Sequence, residues 1–340
     1  MSRMKEKTMK KSSIRCRGKQ YEVVDAVRLS GRNYEVVRRL GNRGRIRMQV
    51  YDRSVDDMRV IQVVPSSTHF KQTLRVLRKC SGLRGFPQIL DVGRAGKMMH
   101  VLTDWTWGMS LAEYLRRAKS GGKPWPSAHQ AWVLYSGLIH SLSHFHDITM
   151  CVHGDIKPEN LIVQKQPQRL RMIDFGSAWS EHRSLQRTPG DGHSLGYAAP
   201  ELHADGRGTF LSDQFSVSVV LYEMLTGKLP YSGLGGRAGW PKNVETFRET
   251  FVKPSTCCKG DRSLPMGAWK VIDEVVATGL ALDPNERHVT SNKLRDAVDE
   301  ATQTLRSGLQ RPRWHESILA SFDWMVGIGQ KYRSKMQSKH

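Results

Sequence analysis

The sequence lacks several features that would place it in common protein classes. Its five cysteines are an odd number and contain no Cys-x-x-Cys pair, which argues against a disulfide framework and favours a reducing compartment. The longest apolar run, over residues 217–225, is interrupted by Ser218 and Glu223 and is too short to span a bilayer. No apolar segment follows the basic N-terminus, so no secretory signal is expected. These absences predict a soluble, cytoplasmic protein.

Acidic residues are also scarce relative to basic ones. The chain has 53 lysines and arginines against 32 acids, and its formal net charge is +21. The excess is concentrated at the two ends, in residues 1–20 and 301–340. Solvated tails explain this charge, and so does attraction to an acidic partner such as nucleic acid, a membrane surface or an acidic protein. Residues 1–33 are predicted to be a basic, disordered extension, because residues 1–20 show no periodicity.

The most informative stretch of the sequence is residues 153–176. A polar loop is followed by an apolar strand over residues 161–163, a turn, and a second strand over residues 170–173. If the strands pair as a hairpin, their polar ends come together on one side. The side chains gathered there are Asp155, Lys157, Asn160 and Asp174. Such a set can hold magnesium and direct a hydroxyl group onto a phosphate.

This stretch resembles the catalytic and metal-binding loops of the protein kinase family. The order of motifs continues with Tyr-Ala-Ala-Pro-Glu at residues 197–201 and Ser-Asp-Gln-Phe-Ser at residues 212–216. The resemblance implies an α+β, two-lobed kinase fold over residues 34–305. A small antiparallel-sheet lobe would span residues 34–103 and a larger, mainly helical lobe residues 108–305.

The resemblance also assigns roles in transferring the ATP γ-phosphoryl group to a Ser or Thr hydroxyl of a protein. Asp155 would orient that hydroxyl and accept its proton, and Lys157 would neutralise the transferred phosphate. Asn160 and Asp174 would hold Mg²⁺. Ser194 occupies the position that favours Ser/Thr over Tyr substrates.

By the same resemblance, a further set of residues would contact ATP. They are Gly41, Gly44, Met48, Val60, Gln62, Asp104, Trp105 and Ile162. The backbone of Asp104 and Trp105 would hydrogen-bond adenine. The glycine loop departs from the family pattern, since Arg43 and Ile46 take the second and third glycine positions.

The largest departure is the loss of an ion pair that the family uses to hold phosphates. Gln62 stands where the lysine is expected, and no acid occurs between Asp57 and Asp91 to supply the partner on the following helix. An arginine at position 45 or 47 could replace the lysine. However, Ile46 and Met48 are expected to face inward, which would turn both arginines outward unless the strand slips by one residue.

Two classes of function therefore stay open, an active Ser/Thr kinase and a pseudokinase that serves as a nucleotide-binding or scaffold module.

Other motifs bear on structure and control. The resemblance pairs Glu201 with Arg287 and lets Asp213 tie the catalytic loop to the core helix. Gly154 replaces an arginine that reads a phosphate on the activation segment, which argues against that form of control. His146 is expected to be a surface or packing residue.

The basic tail over residues 306–340 contains apolar residues at helical spacing, from Ile318 to Val326. Docking on the domain, binding a partner helix and lying on a membrane surface all explain this pattern.

Overall fold

The computed structural model describes most of the chain. It covers residues 12–40, 46–83, 85–165, 168–180, 195–204, 208–247, 250–260 and 264–310. Within these ranges, no helix combines the length and the apolar character needed to cross a bilayer. The predicted tail helix after Ile318 lies outside the described residues.

The N-terminal part is built on antiparallel strands. Strands β1 (Ser12–Cys16) and β2 (Lys19–Val23) form a separate hairpin. The described residues also form a six-stranded sheet from β3 (Asp25–Leu29), β4 (Arg32–Arg39), β5 (Ile46–Asp52), β6 (Asp57–Pro65), β7 (Ile89–Ala95) and β8 (Met98–Asp104), in the order β3-β4-β5-β6-β8-β7. Helix α1 (Thr68–Cys80) connects β6 to β7, and its Leu74 packs against Val64 and Val101 of the sheet.

The prediction of a disordered extension over residues 1–33 is wrong from residue 12 onward. Both hairpins in this segment turn through two residues with positive φ, +48° and +76° at residues 17–18 and +46° and +79° at residues 30–31. Such turns match the right-handed twist of paired strands. Ile14 and Cys16 are buried while the residues between and beside them are exposed. Because the exposed positions carry basic side chains, the alternation of buried and exposed residues was not recognised in the sequence.

The C-terminal part is mainly helical. Its helices are α2 (Leu111–Lys119), α3 (Ala128–Thr149), α4 (Pro200–Ala204), α5 (Phe210–Thr226), α6 (Val244–Phe247), α7 (Pro254–Cys257), α8 (Met266–Gly279) and α9 (Ser291–Gln310). Short strands accompany them, namely β9 (Met109–Ser110), β10 (Cys151–Val152), β11 (Leu161–Lys165), β12 (Gln168–Met172) and β13 (Trp179–Ser180). Helices α3 and α5 pack together in the core, where Leu138 and Val219 are fully buried.

Helix α3 leads directly into the predicted catalytic loop. It begins at a capping box in which the Ser127 hydroxyl accepts from the Gln130 amide and the Gln130 side chain accepts from the Ser127 amide. It ends at Met150, whose left-handed φ of +51° breaks the helical path. The chain then enters β10 and the loop that begins at His153.

The predicted hairpin after that loop is confirmed. Strands β11 and β12 pair in register from Leu161 opposite Met172 to Lys165 opposite Gln168. The pairing continues beyond the strands, since the Ile173 amide donates to the Asn160 carbonyl at 2.9 Å. Asn160 and the residue after Ile173, which is Asp174, therefore lie at the same end of the hairpin.

Candidate active site

The predicted catalytic loop holds Asp155, Lys157 and Asn160 in one hydrogen-bonded group. The Lys157 ammonium donates to both carboxylate oxygens of Asp155 at 2.8 Å, and these two side chains are only 11% and 10% exposed. The Asn160 amide nitrogen donates to the Asp155 carbonyl at 2.8 Å and to its carboxylate at 3.0 Å. Both bonds use the amide nitrogen of Asn160, and neither uses its amide oxygen.

Burial sets the electrostatics of this group. Loss of solvation raises the pKa of the Asp155 carboxyl, and the hydrogen bonds from Lys157 offset part of that rise. His153 is fully buried, and burial lowers its imidazole pKa. The lowered pKa favours a neutral His153 imidazole near neutral pH.

A buried carboxylate anchors the loop from behind. Asp213, at the start of α5, accepts hydrogen bonds from the amides of His153 at 2.7 Å and Gly154 at 2.9 Å. Gly154 has a φ of +72°, a conformation that suits glycine. His146 is 2.9 Å from the same carboxylate through Nε2 and 2.5 Å from the Ser291 hydroxyl through Nδ1.

The prediction of a packing role for His146 is confirmed, since it is buried and its ring stacks on Phe210 at 4.4 Å; its contact with Asp213 was not predicted. Its position four residues after Leu142, on the buried face of α3, was a usable signal, because a polar group there needs a partner.

Asp174 lies at the end of the hairpin in a left-handed conformation, with a φ of +64°. The following side chain, Phe175, is buried and packs its ring 5.4 Å from Phe145 and 4.8 Å from His153. The Asp174 carboxylate forms an ion pair with Arg47 of β5 at 2.5 Å. The two side chains are 24% exposed for Arg47 and 19% for Asp174, so solvent screens this pair only in part.

The register of the sheet explains how Arg47 reaches this position. Arg47 lies directly opposite Gln62 in the β5–β6 ladder, and opposed residues of an antiparallel pair share a face. The prediction that Arg47 points outward is wrong, since Ile46 is the residue that is 48% exposed. Arg45, like Gly41 and Gly44, lies outside the described residues.

The same alternation overturns the assignment of Met48 to the nucleotide site. Met48 is buried against Leu29, Tyr34 and Ile61 on the other face of the sheet. Because side chains of a strand alternate, a shift of one residue exchanges the two faces. The sequence-based prediction therefore assigned the two faces of β5 one residue out of register.

A cavity of about 610 Å³ brings these elements together. Its wall includes most of the predicted nucleotide-binding residues, namely Val60, Gln62, Asp104, Trp105 and Ile162, and also Arg47 and Asp174. Its size suits a small-molecule ligand. Helix α1 contributes Leu77, which is buried. An apolar side chain thus stands on the helix that carries the acid in the family pattern.

Asp104 lines this cavity and is held in place by hydrogen bonds to its side chain. Its carboxylate accepts from the Gln88 amide at 2.7 Å and from the Arg171 guanidinium at 2.8 Å. The Asp104 amide donates to the Gln88 carbonyl at 3.1 Å, so this N–H group is already satisfied within the protein. Arg171 also donates to the Phe86 carbonyl, which secures the segment from the side of β12.

Comparison with known proteins decides the family. The model of the protein kinase domain matches residues 53–297. This chain belongs to the protein kinase family. The predicted two-lobed α+β kinase fold is confirmed by that match together with the antiparallel sheet and the helical part.

Several kinases are similar in sequence, and two of the three named here are Ser/Thr protein kinases. PknE of Mycobacterium tuberculosis (strain H37Rv) is 30% identical over 226 residues, which cover 64% of this chain and 35% of that protein. PrkC of Bacillus subtilis is 23% identical over 214 residues, covering 63% and 30%. Ribosomal protein S6 kinase alpha-4 of Homo sapiens is 27% identical over 231 residues, covering 64% and 28%. The chain spans only about a third of the length of these curated relatives.

A solved structure shares the kinase fold. The Cydia pomonella granulovirus kinase PK-1 superposes with a TM-score of 0.62 at 18% identity, over 77% of this chain and 92% of that chain.

The helical lobe of this kinase domain also contains the expected structural ion pair. Arg287 donates to both carboxylate oxygens of Glu201, at 2.7 and 3.0 Å, and its side chain is fully buried. Arg287 donates as well to the carbonyl groups of Ala281 and Leu211, both at 2.9 Å. The expected ion pair between Glu201 and Arg287 is therefore formed in the lobe that carries the catalytic loop.

Proposed function

We propose that this chain is a Ser/Thr protein kinase in which Arg47 takes the place of the missing strand lysine. The observation that carries the proposal is the position of Arg47, which faces the cavity opposite Gln62 and contacts Asp174. A guanidinium group binds phosphate oxygens through two parallel N–H donors. A cation in this location can serve the phosphate groups of ATP as the family lysine does.

The catalytic loop supports the rest of the reaction. Asp155 would orient the substrate hydroxyl and accept its proton, and Lys157 would neutralise charge on the transferred phosphoryl group. Asn160 and Asp174 would hold Mg²⁺, which supplies charge neutralisation at the phosphates. The donor set fits that ion, because magnesium uses one or two protein oxygens and completes its shell with water and phosphate.

Arg47 would change partners when the nucleotide binds. Its guanidinium forms an ion pair with the Asp174 carboxylate. With ATP and Mg²⁺ present, the guanidinium would move to the phosphate oxygens and release the Asp174 carboxylate for the metal. This exchange keeps every charge compensated, which a partly buried site requires.

A pseudokinase is the second candidate, and the same ion pair favours it in one respect. An arginine paired with Asp174 competes with magnesium for that carboxylate. Leu77, which lies on helix α1 in the cavity wall, has no carboxylate with which the arginine could pair instead. If the Arg47–Asp174 pair persists, the cavity would bind a nucleotide weakly and without turnover.

One experiment separates the two candidates. Purified protein and its Asp155→Asn variant are incubated with radiolabelled ATP, Mg²⁺ and a generic basic protein substrate, and a thermal shift with MgATP is recorded in parallel. We expect slow phosphorylation by the wild type, none by Asp155→Asn, and a thermal shift in both. Binding without phosphotransfer supports the pseudokinase. If neither is detected, the kinase proposal is refuted.

The proposal of an acidic or nucleic-acid partner rests on the charge of the chain ends alone. Residues 1–11 and 311–340, which hold much of that charge, lie outside the described residues. Binding to the tails predicts an affinity that falls steeply with salt and disappears when both ends are removed.

A further inference from the structure

The β1–β2 hairpin lies against the linker that joins the two lobes, residues 104–108. Its Ile14 and Cys16 are buried in a cluster with Val37, Tyr51 and Met58 of the sheet. Two tryptophans of the linker, Trp105 and Trp107, pack against the same cluster, as do Tyr21 and Val23 of the hairpin. The hairpin is thus part of the surroundings of the nucleotide cavity.

One carboxylate joins the hairpin, the linker and the sheet. Asp57, the first residue of β6, accepts a hydrogen bond from the Trp107 indole nitrogen at 3.1 Å. The same carboxylate pairs with Arg17 of the hairpin turn at 3.4 Å and lies 3.9 Å from Arg59. The Arg17 guanidinium also lies 4.5 Å from the centroid of the Trp107 ring. Trp107 is therefore held through both its ring face and its N–H group.

The contacts continue from Trp107 to the cavity wall. Trp105 and Trp107 meet edge to face with their centroids 6.3 Å apart. Trp105 lines the cavity, and the guanidinium of Arg38, another lining residue, lies 5.6 Å from its ring. A displacement of Trp107 would consequently be transmitted to a residue that faces the ligand.

We infer that Arg17, Asp57 and Trp107 are positioning residues that brace the linker for nucleotide binding. The linker joins the two lobes, and both lobes line the cavity. The conformation of the linker therefore sets how the N-terminal sheet is placed relative to the helical lobe. A brace that restricts those conformations lowers the cost of ordering on binding. The inference rests on the proposed function in one respect, namely that the ligand is a nucleotide.

The first test needs no nucleotide. Hydrogen–deuterium exchange of residues 104–108 is compared in the full-length wild type, Trp107→Phe and Arg17→Ala. Trp107→Phe keeps an aromatic ring and removes the indole N–H, while Arg17 is largely exposed and can be replaced without opening the core. We expect faster exchange in both variants. Arg53→Gln is the matched control, since Arg53 is exposed on the same lobe and pairs with Glu35.

The second test measures ATP binding and turnover in the same proteins. Trp107→Phe and Arg17→Ala should weaken MgATP binding about three- to tenfold, the effect of about one lost cation–π or hydrogen-bond contact. The turnover rate at saturating ATP should be unchanged, and Arg17→Lys should recover part of the affinity. A general loss of folding would lower both quantities together, which distinguishes it from positioning.

The outcomes of the two tests are separable. Unchanged exchange of the linker in both variants overturns the inference whatever the nucleotide result. Faster exchange with unchanged ATP affinity overturns its link to the ligand site. Faster exchange in a protein that binds no ATP supports the brace and refutes the proposed kinase function.

Discussion

Replacing Arg47 by methionine is the sharpest test of the proposed phosphate clamp. The substitution removes the guanidinium group and keeps an apolar stem of similar length on the cavity face of β5. The wild-type Arg47 side chain is 24% exposed, and its guanidinium lies 2.5 Å from the Asp174 carboxylate. It is therefore shielded enough from water to form a strong contact with a phosphate group in the same position.

The size of the effect follows from that partial burial. A hydrogen bond to a charged group contributes about 1.5–3 kcal/mol, which corresponds to roughly a 10- to 150-fold change in a dissociation constant. We expect MgATP affinity to fall by that factor in Arg47→Met. Adenosine carries no phosphate, so its affinity should stay the same.

Isothermal titration calorimetry with both ligands measures this difference. Arg39→Met serves as a control, because Arg39 is 68% exposed on the neighbouring strand and pairs with Asp25. The clamp is refuted if Arg47→Met binds MgATP like the wild type. It is also refuted if adenosine and MgATP are weakened equally, since that would indicate damage to the base pocket.

A lysine at position 62 provides a complementary test. Arg47 and Gln62 are directly opposed on one face, so a cation placed at either position can reach the same ligand. Gln62→Lys in the Arg47→Met background should restore part of the MgATP affinity. No recovery would mean that position 62 cannot serve the phosphates in this cavity.

Further predictions concern the catalytic loop and its anchors. Because burial raises the Asp155 pKa and only the ionised carboxylate accepts a proton, kcat/KM should rise with pH along an acid limb above the value of about 3.9 typical of aspartate, and a limb at that value would contradict the assignment. Arg287→Met leaves Glu201 without its buried partner and should lower the free energy of unfolding in urea by about 3–5 kcal/mol. His146→Ala removes a contact to Asp213; it should cost about 1–3 kcal/mol of stability and slow phosphotransfer, with His146→Gln less severe.

Local sequence pattern was sufficient for the catalytic loop and the hairpin that follows it. The apolar strands at residues 161–163 and 170–173 are separated by a short turn, and short turns pair strands that are close in the chain. The helices of the C-terminal lobe were predictable for the same reason, since their apolar spacing and caps are local. Helix α3, for example, begins after the Ser127 cap and runs to Thr149.

Local pattern was not sufficient for the strands of the N-terminal lobe. The side of β5 that faces the cavity depends on which residue pairs with Gln62, and this is decided by the register across the sheet. A shift of one position turned Arg47 inward and Met48 into the core, contrary to prediction. The docking of residues 12–23 was missed because their basic side chains are exposed and their few buried residues contact distant parts of the chain.

The sequence by itself determined that this chain is a member of the protein kinase family with Asp155, Lys157, Asn160 and Asp174 in their expected order. It also showed that the lysine and the glutamate of the N-terminal lobe are absent. Only the tertiary structure decided which cation lies beside Asp174, because Arg47 is 127 positions away in the chain and is placed there by strand register. The hairpin packed on the linker was decided in the same way, by contacts between residues that no local pattern relates.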